Sequence, residues 1–372
     1  MSEDIIELAM KNNCVSQGLF QLKNGSQSRF YFNMKNLISH PELLMKCAEE
    51  IYKKLPDFDI VCGIPHGAMP IATCISVKYN KPMIFVRDKQ KSYGMNKQIE
   101  GEYSKESKCV LIDDVLTSGG SLIEAYDILK EQVNIVDSCV VVDRQMHSNI
   151  PFKFKSLFTK TDVTTFLLQK YMQEKKSNIC FSGDISDPNK LLEILGNVGH
   201  KIVACKLHID IINLDICPDF IEKLMLLANK HNFLLMEDRK FVDISYIVEK
   251  QYNHFKNWAD LVTVHGSVNS DVISKLSGVI LVANMSNNTF NYDEKCINMA
   301  KKYDSRIVGF VSQHRLNSNK IHMTPGISHN NGKEGDQNYR TLNNVDTDIA
   351  IVGRAIYNSD DPLDSVLKLL SK

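Results

Sequence analysis

Two short strings in this chain set charged and small residues in patterns that could do chemistry. The first is VLIDDVLTSGGS, residues 110–121: an apolar run, two adjacent carboxylates, then a small, glycine-rich turn. Backbone N–H groups of Thr117, Ser118, Gly119, Gly120 and Ser121, with a helix N-terminus behind them, can hold a phosphate dianion. Asp113 and Asp114, expected just past the strand, can accept hydrogen bonds from sugar hydroxyls. The plain alternative is an ordinary strand-to-helix turn, but glycine turns rarely follow paired acids on a strand. The second pattern is KLHID, residues 206–210, and EDRKFVDI, residues 237–244. It sets Lys206, Asp238, Lys240 and Asp243 at the ends of apolar runs, where alternating cations and anions can stabilise charge that develops on a bound molecule. Charge runs are usually solvated faces. Their place directly after apolar strands favours a site.

The elements that must carry these groups differ between the halves. In residues 1–160, β-branched runs at 60–63, 82–87, 109–113 and 138–143 alternate with helical stretches, which predicts a mainly parallel sheet flanked by helices. Functional groups in such a sheet lie at the carboxyl ends of strands. Residues 177–372 hold eight candidate strands, at 179–182, 202–206, 234–237, 261–265, 279–283, 306–311, 322–324 and 349–353. Eight strand-plus-helix units predict a (β/α)₈ barrel more compact than the usual ~250 residues, with its chemistry just after the strands. Between them, residues 161–176 contain no Pro/Gly/Ser-rich linker. Asp162 as a cap, with Val163, Phe166, Leu167 and Met172 at helical spacing, predicts one continuous helix as connector and closely coupled domains.

Bulk properties narrow the class. A chain of 372 residues is comfortable for two domains, each with its own core. Lys plus Arg equals Asp plus Glu at 44 each, which argues against a nucleic-acid binder working through a broad basic surface. The ten cysteines show no CxxC pair or metal-ligand spacing, and several (Cys62, Cys109, Cys139, Cys180, Cys205) lie in apolar runs, as buried thiols of a reducing compartment would. Residues 1–12 form a mixed-charge amphipathic segment unlike a signal peptide or a membrane anchor, so a cytoplasmic location is expected.

The string at 110–121 resembles the PRPP-binding motif of type I phosphoribosyltransferases, and further pieces narrow the resemblance to the orotate phosphoribosyltransferases. LKNGSQSRFYFN, residues 22–33, is similar to their N-terminal segment, which implies Lys23 on pyrophosphate and Tyr31 and Phe32 flanking the orotate ring. CGIPHGAMP, residues 62–70, resembles the loop that contacts pyrophosphate, and DRQ, residues 143–145, puts Arg144 where that family uses an arginine on the base. A planar guanidinium suits a flat pyrimidine bearing a carboxylate. Residues 87–101 resemble the mobile loop that closes over the neighbouring subunit's site, which implies that Arg87, Lys89 and Lys91 stabilise departing pyrophosphate. The resemblance also implies Mg²⁺, bridging mostly PRPP oxygens.

DxKxxD after the third barrel strand resembles the orotidine 5′-phosphate decarboxylases, whose lysine–aspartate–lysine–aspartate array surrounds C6 of the substrate. That implies Lys240 as the group stabilising and protonating the C6 carbanion, Asp238 against the departing carboxylate, Lys206 holding Asp238 ionised, and Asp243 supplied by a partner subunit. Ser182 and Asp184 match the segment that touches base and ribose, and Ser286 the serine that reads the pyrimidine. Pro325, Gln337, Tyr339, Gly353 and Arg354 match the substrate and phosphate grip, in the usual phosphate corner of a barrel. No metal or cofactor is implied for this second step. The whole chain resembles the bifunctional UMP synthases, transferase first, with a shorter connector. The implied ligands are orotate, PRPP, orotidine 5′-phosphate and UMP, in a homodimer that shares its active sites and contacts neither nucleic acid nor membrane.

Three departures stand out. Asp88 occupies the place of a lysine directly after the arginine, with Lys89 one residue later; Ile247 replaces a ribose-bonding threonine; and NMSNNTF shortens the pyrimidine loop. Asp88 and Ile247 set beside the bifunctional enzyme a chain with only one active site; a second alternative is a PRPP-sensing, non-catalytic module joined to a barrel, since some proteins of the PRPP fold bind ligand without catalysis. Lys23, Lys91 and Arg144 argue against the sensor.

Overall fold

A computed structural model describes residues 2–21, 25, 27–87, 98–147, 150–285, 291–334 and 337–371. They divide into two compact units, one of residues 1–16 and 31–160, the other of residues 17–30 and 161–372. In chain order the first eight strands are β1 (Val15–Gln21), β2 (Gln27–Phe32), β3 (Ile60–Gly63), β4 (Met83–Val86), β5 (Ile99–Glu100), β6 (Lys108–Leu116), β7 (Asn134–Asp143) and β8 (Lys155–Thr159). Ten more follow: β9 (Ile179–Ser182), β10 (Ala204–Leu207), β11 (Leu234–Phe241), β12 (Leu261–His265), β13 (Val279–Val282), β14 (Ile307–Val311), β15 (Ile321–Thr324), β16 (Gly332–Glu334), β17 (Gln337–Tyr339) and β18 (Ile349–Val352).

The first unit is built on a six-stranded sheet in the order β5-β4-β3-β6-β7-β8, parallel except where β5 joins β4. β3 and residues 109–112 of β6 are buried throughout, as strands covered on both faces must be. The sequence expectation ended the β6 strand at Asp113; instead the strand continues to Leu116, because the longer β7 keeps pairing with it as far as Asp143 opposite Leu116. Asp113 and Asp114 therefore project from the strand itself. Beyond it, Gly119 adopts φ +88°, the left-handed conformation that lets the chain turn directly into the helix Gly120–Leu129.

In the second unit β9–β15 and β18 close an eight-stranded parallel barrel, and strand residues Phe181, Leu235, Phe241, Val262 and Phe310 share one hydrophobic core with helix residues such as Leu191, Leu224 and Val248. The antiparallel pair β16–β17 is inserted before the last barrel strand. β11 runs four residues past the expected end at Glu237, with a register irregularity between Glu237 and Phe241. Asp238 and Lys240 thus lie on an irregular strand end, and Lys240 has φ +50°. The helix Lys160–Lys175 starts two residues before Asp162, which lies in its first turn as the third helical residue and not at the cap position that was expected. Its buried side is Thr161, Val163, Thr164, Leu167, Leu168 and Tyr171, while Phe166 and Met172 are half-buried.

The second unit also includes residues 17–30, from strands β1 and β2. Arg29, fully buried, donates from Nη1 to Asp260 Oδ2 at 2.6 Å and from Nη2 to the Phe233 carbonyl at 3.2 Å. Asp260 Oδ2 also accepts the Leu235 N–H at 2.9 Å. All ten cysteines are free thiols, and all but Cys74 are buried. Among the described residues no helix is long and apolar enough to cross a membrane.

Candidate active sites

At the carboxyl end of the barrel, a cavity of about 490 Å³ is lined by Ser182, Asp184, Lys206, Asp238, Lys240, Pro325, Gln337, Tyr339, Gly353 and Arg354, all singled out from the sequence. Asp238 is its electrostatic centre. Its Oδ2 lies 2.8 Å from both the Lys206 and the Lys240 ammonium, and 3.3 Å from His208 Nε2. Its Oδ1 accepts the Thr263 hydroxyl at 2.8 Å. Burial by itself would push the Asp238 carboxyl up, but Lys206 first, then His208 and Lys240, outweigh it and hold it well below the usual carboxylate range. For Lys206 burial would favour the neutral amine, and Asp238 with Asp184 reverses this, raising the ammonium above its ordinary value. The pair is charged and fixed. Lys240, 32% exposed, is the less buried of the two lysines that line the cavity.

Ser182 donates to Asp184 Oδ2 at 2.8 Å, and Asp184 Oδ1 lies 3.5 Å from Lys206, so the first-strand pair joins the same network. Also lining the cavity, Gly326 has φ +77°, and a Cβ there would come within 2.6 Å of Gln337 Nε2. Glycine is what lets the loop and β17 close on each other. Asp243 is not brought to this cavity: it is exposed, its carboxylate accepting the Ile244 N–H at 2.7 Å. Ile247 is half-buried in the helix Ser245–Tyr252. Ser286 lies outside the described residues, although its neighbour Met285 lines the cavity. His208 and Thr263 were not singled out from the sequence. For His208 a signal existed, since residues two apart in an extended segment share a face and Lys206 precedes it by two.

In the first unit Asp113 and Asp114 are held by local backbone, Asp113 Oδ1 accepting the Asp114 N–H at 2.8 Å and Asp114 Oδ1 the Val115 N–H at 2.9 Å. Asp113 is buried, and burial followed by the adjacent Asp114 charge pushes its carboxyl up to about 8. Gly67, in the loop after β3, packs so closely that a Cβ would lie 1.9 Å from Asp114 Oδ2. Nearby, Pro65, Arg87 and Ser121 share the wall of a cavity of about 160 Å³. Arg87 forms an ion pair with Glu100. The Arg144 backbone N–H donates to the Leu116 carbonyl at 2.9 Å, tying the arginine to the end of β6, and its guanidinium lies 5.7 Å over the Phe32 ring. Tyr31 is exposed. Lys23, Asp88, Lys89 and Lys91 lie outside the described residues.

The chain thus joins a sheet unit with a strand-end acid pair to a barrel unit with a lysine–aspartate cluster in its cavity. Residues 33–174 match the phosphoribosyl transferase domain, and residues 177–369 match the orotidine 5′-phosphate decarboxylase / HUMPS family. Uridine 5′-monophosphate synthase of Bos taurus is 30% identical over 440 residues, covering 94% of this chain and 92% of its own. Orotate phosphoribosyltransferase of Pyrococcus abyssi is 40% identical over 150 residues, 39% of this chain and 82% of that one. Orotidine 5′-phosphate decarboxylase of Pichia kudriavzevii is 36% identical over 222 residues, 52% of this chain and 85% of that one. The chain belongs to the orotidine 5′-phosphate decarboxylase / HUMPS family and, taken whole, to the fusions of that barrel with a phosphoribosyltransferase domain typified by the bifunctional UMP synthases.

Proposed function

We propose that the chain carries out two consecutive steps of pyrimidine synthesis: orotate and PRPP to orotidine 5′-phosphate and pyrophosphate, then decarboxylation to UMP and CO₂. The observation that carries this reading is the Asp238 carboxylate clamped by Lys206 and Lys240 at 2.8 Å, in one cavity with Gln337, Tyr339 and Arg354. A phosphorylated ligand held by the latter group would present its reacting carbon to the former.

In the first step the C1–O bond of PRPP breaks with its electron pair leaving on pyrophosphate, and N1 of orotate bonds to C1. Amides of Thr117, Ser118, Gly119, Gly120 and Ser121 hold the 5′-phosphate, while Asp113 and Asp114 take the ribose hydroxyls. Lys23, Arg87, Lys89 and Lys91 neutralise pyrophosphate, and Tyr31, Phe32 and Arg144 hold the base; catalysis is positioning and electrostatics. Among the described residues no cluster of three or more His, Cys, Asp or Glu could hold a metal by itself. The two carboxylates of Asp113 and Asp114 are hard oxygen donors that suit Mg²⁺ sharing its sphere with PRPP oxygens. The metal would neutralise charge on the leaving pyrophosphate.

In the second step the C6–carboxylate bond breaks and its electron pair remains on C6. The Lys240 ammonium stabilises that pair and gives C6 its proton, with Asp238 beside the departing carboxylate and Lys206 keeping Asp238 ionised. Ser182, Asp184 and Ser286 hold ribose and base. No metal enters this step. Asp243 would come from the partner subunit of a homodimer, as would Lys91; the exposed Val242, Ile244 and Tyr246 around Asp243 support a covered surface there. The enzyme is placed in the cytoplasm, with residues 1–160 as transferase, 161–176 as connector and 177–372 as decarboxylase.

Two assays of the purified chain test this. Orotate, PRPP and Mg²⁺ should yield orotidine 5′-phosphate and pyrophosphate, and orotidine 5′-phosphate with a chelator should yield UMP and CO₂. Failure of the first alone leaves a decarboxylase; loss of the second in chelator points to metal-dependent chemistry in the barrel.

A further inference from the structure

Lys240 has a left-handed backbone, φ +50°, which a long L side chain adopts only when its surroundings enforce it. The enforcing contact is on the next strand. Thr263, in β12 and wholly buried, accepts the Lys240 N–H at Oγ1 at 2.8 Å. The same hydroxyl donates its single proton to Asp238 Oδ1 at 2.8 Å. Asp238 Oδ2 faces both ammoniums, so the hydroxyl takes the other edge of the carboxylate and fixes the plane in which Oδ2 meets them. Thr263 does not line the cavity and cannot touch a ligand there.

We infer that Thr263 is a positioning residue for decarboxylation, one hydroxyl setting both the orientation of Asp238 and the backbone conformation that aims Lys240. Valine has the shape of threonine without the hydroxyl, so Thr263→Val would leave the Lys240 N–H and Asp238 Oδ1 without these partners while filling the same space. Small displacements of a catalytic group are costly to rate and need not affect binding. The ground-state hold on the ligand, through Gln337, Tyr339 and Arg354, is not altered.

The inference rests on the roles proposed for Asp238 and Lys240, and the experiment separates the two. Steady-state decarboxylation is measured for full-length Thr263→Val, Thr263→Ser and Lys240→Ala, with orotidine 5′-phosphate formation by the same proteins as the control for folding. Thr263→Val should lose about 10²-fold in kcat, with KM within about threefold of the parent. Thr263→Ser, which keeps the hydroxyl, should recover most of that loss. Parent-like kcat in Thr263→Val, equal losses in the valine and serine variants, or a loss confined to KM would overturn the positioning role. Parent-like decarboxylation by Lys240→Ala would instead overturn the site itself. If the valine variant fails to fold, Thr263→Ala against Thr263→Ser makes the same comparison.

Discussion

Asp113 and Asp238 hold similar places, each buried near the carboxyl end of a parallel strand, yet their carboxyls are driven in opposite directions. Burial acts upward on both; Asp113 adds a second acid beside it and reaches about 8, whereas Asp238 has two ammoniums and a histidine and lies well below the usual range. Among the described residues no cation lies within ion-pair distance of Asp113. The barrel repeats the contrast between adjacent residues, because Glu237, on the opposite face of β11 from Asp238, is pushed up to about 8 by burial. Neighbours decide, and depth alone does not. The barrel site carries its own counter-charges, as suits a reaction that leaves charge on a carbon with no electron sink. The sheet site presents an acid pair with no such counter-charge among the described residues.

The largest effect should come from removing a counter-charge. Lys240→Ala should lower decarboxylation by about 10⁴-fold or more, since the one ammonium serves as electrostatic stabiliser and as acid. Transferase turnover should be unchanged, and a matching loss in both assays would erase the distinction between the sites. Next comes the other buried pair of the second unit. Arg29→Ala leaves the Asp260 carboxylate without its guanidinium at a site 1% exposed, and should cost about 3–5 kcal/mol in denaturant unfolding. Loss of under about 1 kcal/mol would mean that residues 17–30 do little to hold the barrel unit.

A smaller effect is expected at the sheet. Asp113→Asn keeps shape and puts an amide N–H in place of one carboxyl oxygen that could accept a ribose hydroxyl, so kcat/KM for PRPP should fall about 10- to 100-fold with decarboxylation intact. The most diagnostic effect is on stability against pH. Raised carboxyls such as Asp113, from 3.8 to about 8, and Glu237, from 4.5 to about 8, bind more protons folded than unfolded. Their contribution is fully present below the ordinary carboxylate range and is lost as pH rises through about 8. Asp238 has the reverse sign, its contribution being present above 3.8 and lost as pH falls. Unfolding measured from about pH 5 to 9 should therefore show stability falling as pH rises toward about 8 and levelling above it, a slope that Asp113→Asn and Glu237→Gln each reduce. An unchanged slope in both would contradict the burial argument.

Much of this was legible because it is local. Buried parallel strands read as short apolar runs, and all eight barrel strands lie within two residues of the expected starts. Ends were harder. β6 and β11 run on through charged residues because their partners continue to pair, which a hydrophobicity pattern cannot register. Asp162 lies inside the helix it was expected to cap. The grouping of residues 17–30 with the barrel depends on Arg29 meeting Asp260, 231 positions away, and nothing near Arg29 in sequence announces it. Thr263 was missed for a related reason: a lone threonine on an apolar strand is unremarkable until the fold puts Asp238 and Lys240 beside it.

The most direct test of two separable charged sites in one chain is a single reaction with full-length Lys240→Ala, supplied with orotate, PRPP and Mg²⁺ and followed by mass spectrometry. Orotidine 5′-phosphate should accumulate in step with pyrophosphate, with no UMP formed. UMP appearing at the parent rate, or no orotidine 5′-phosphate at all, would contradict it.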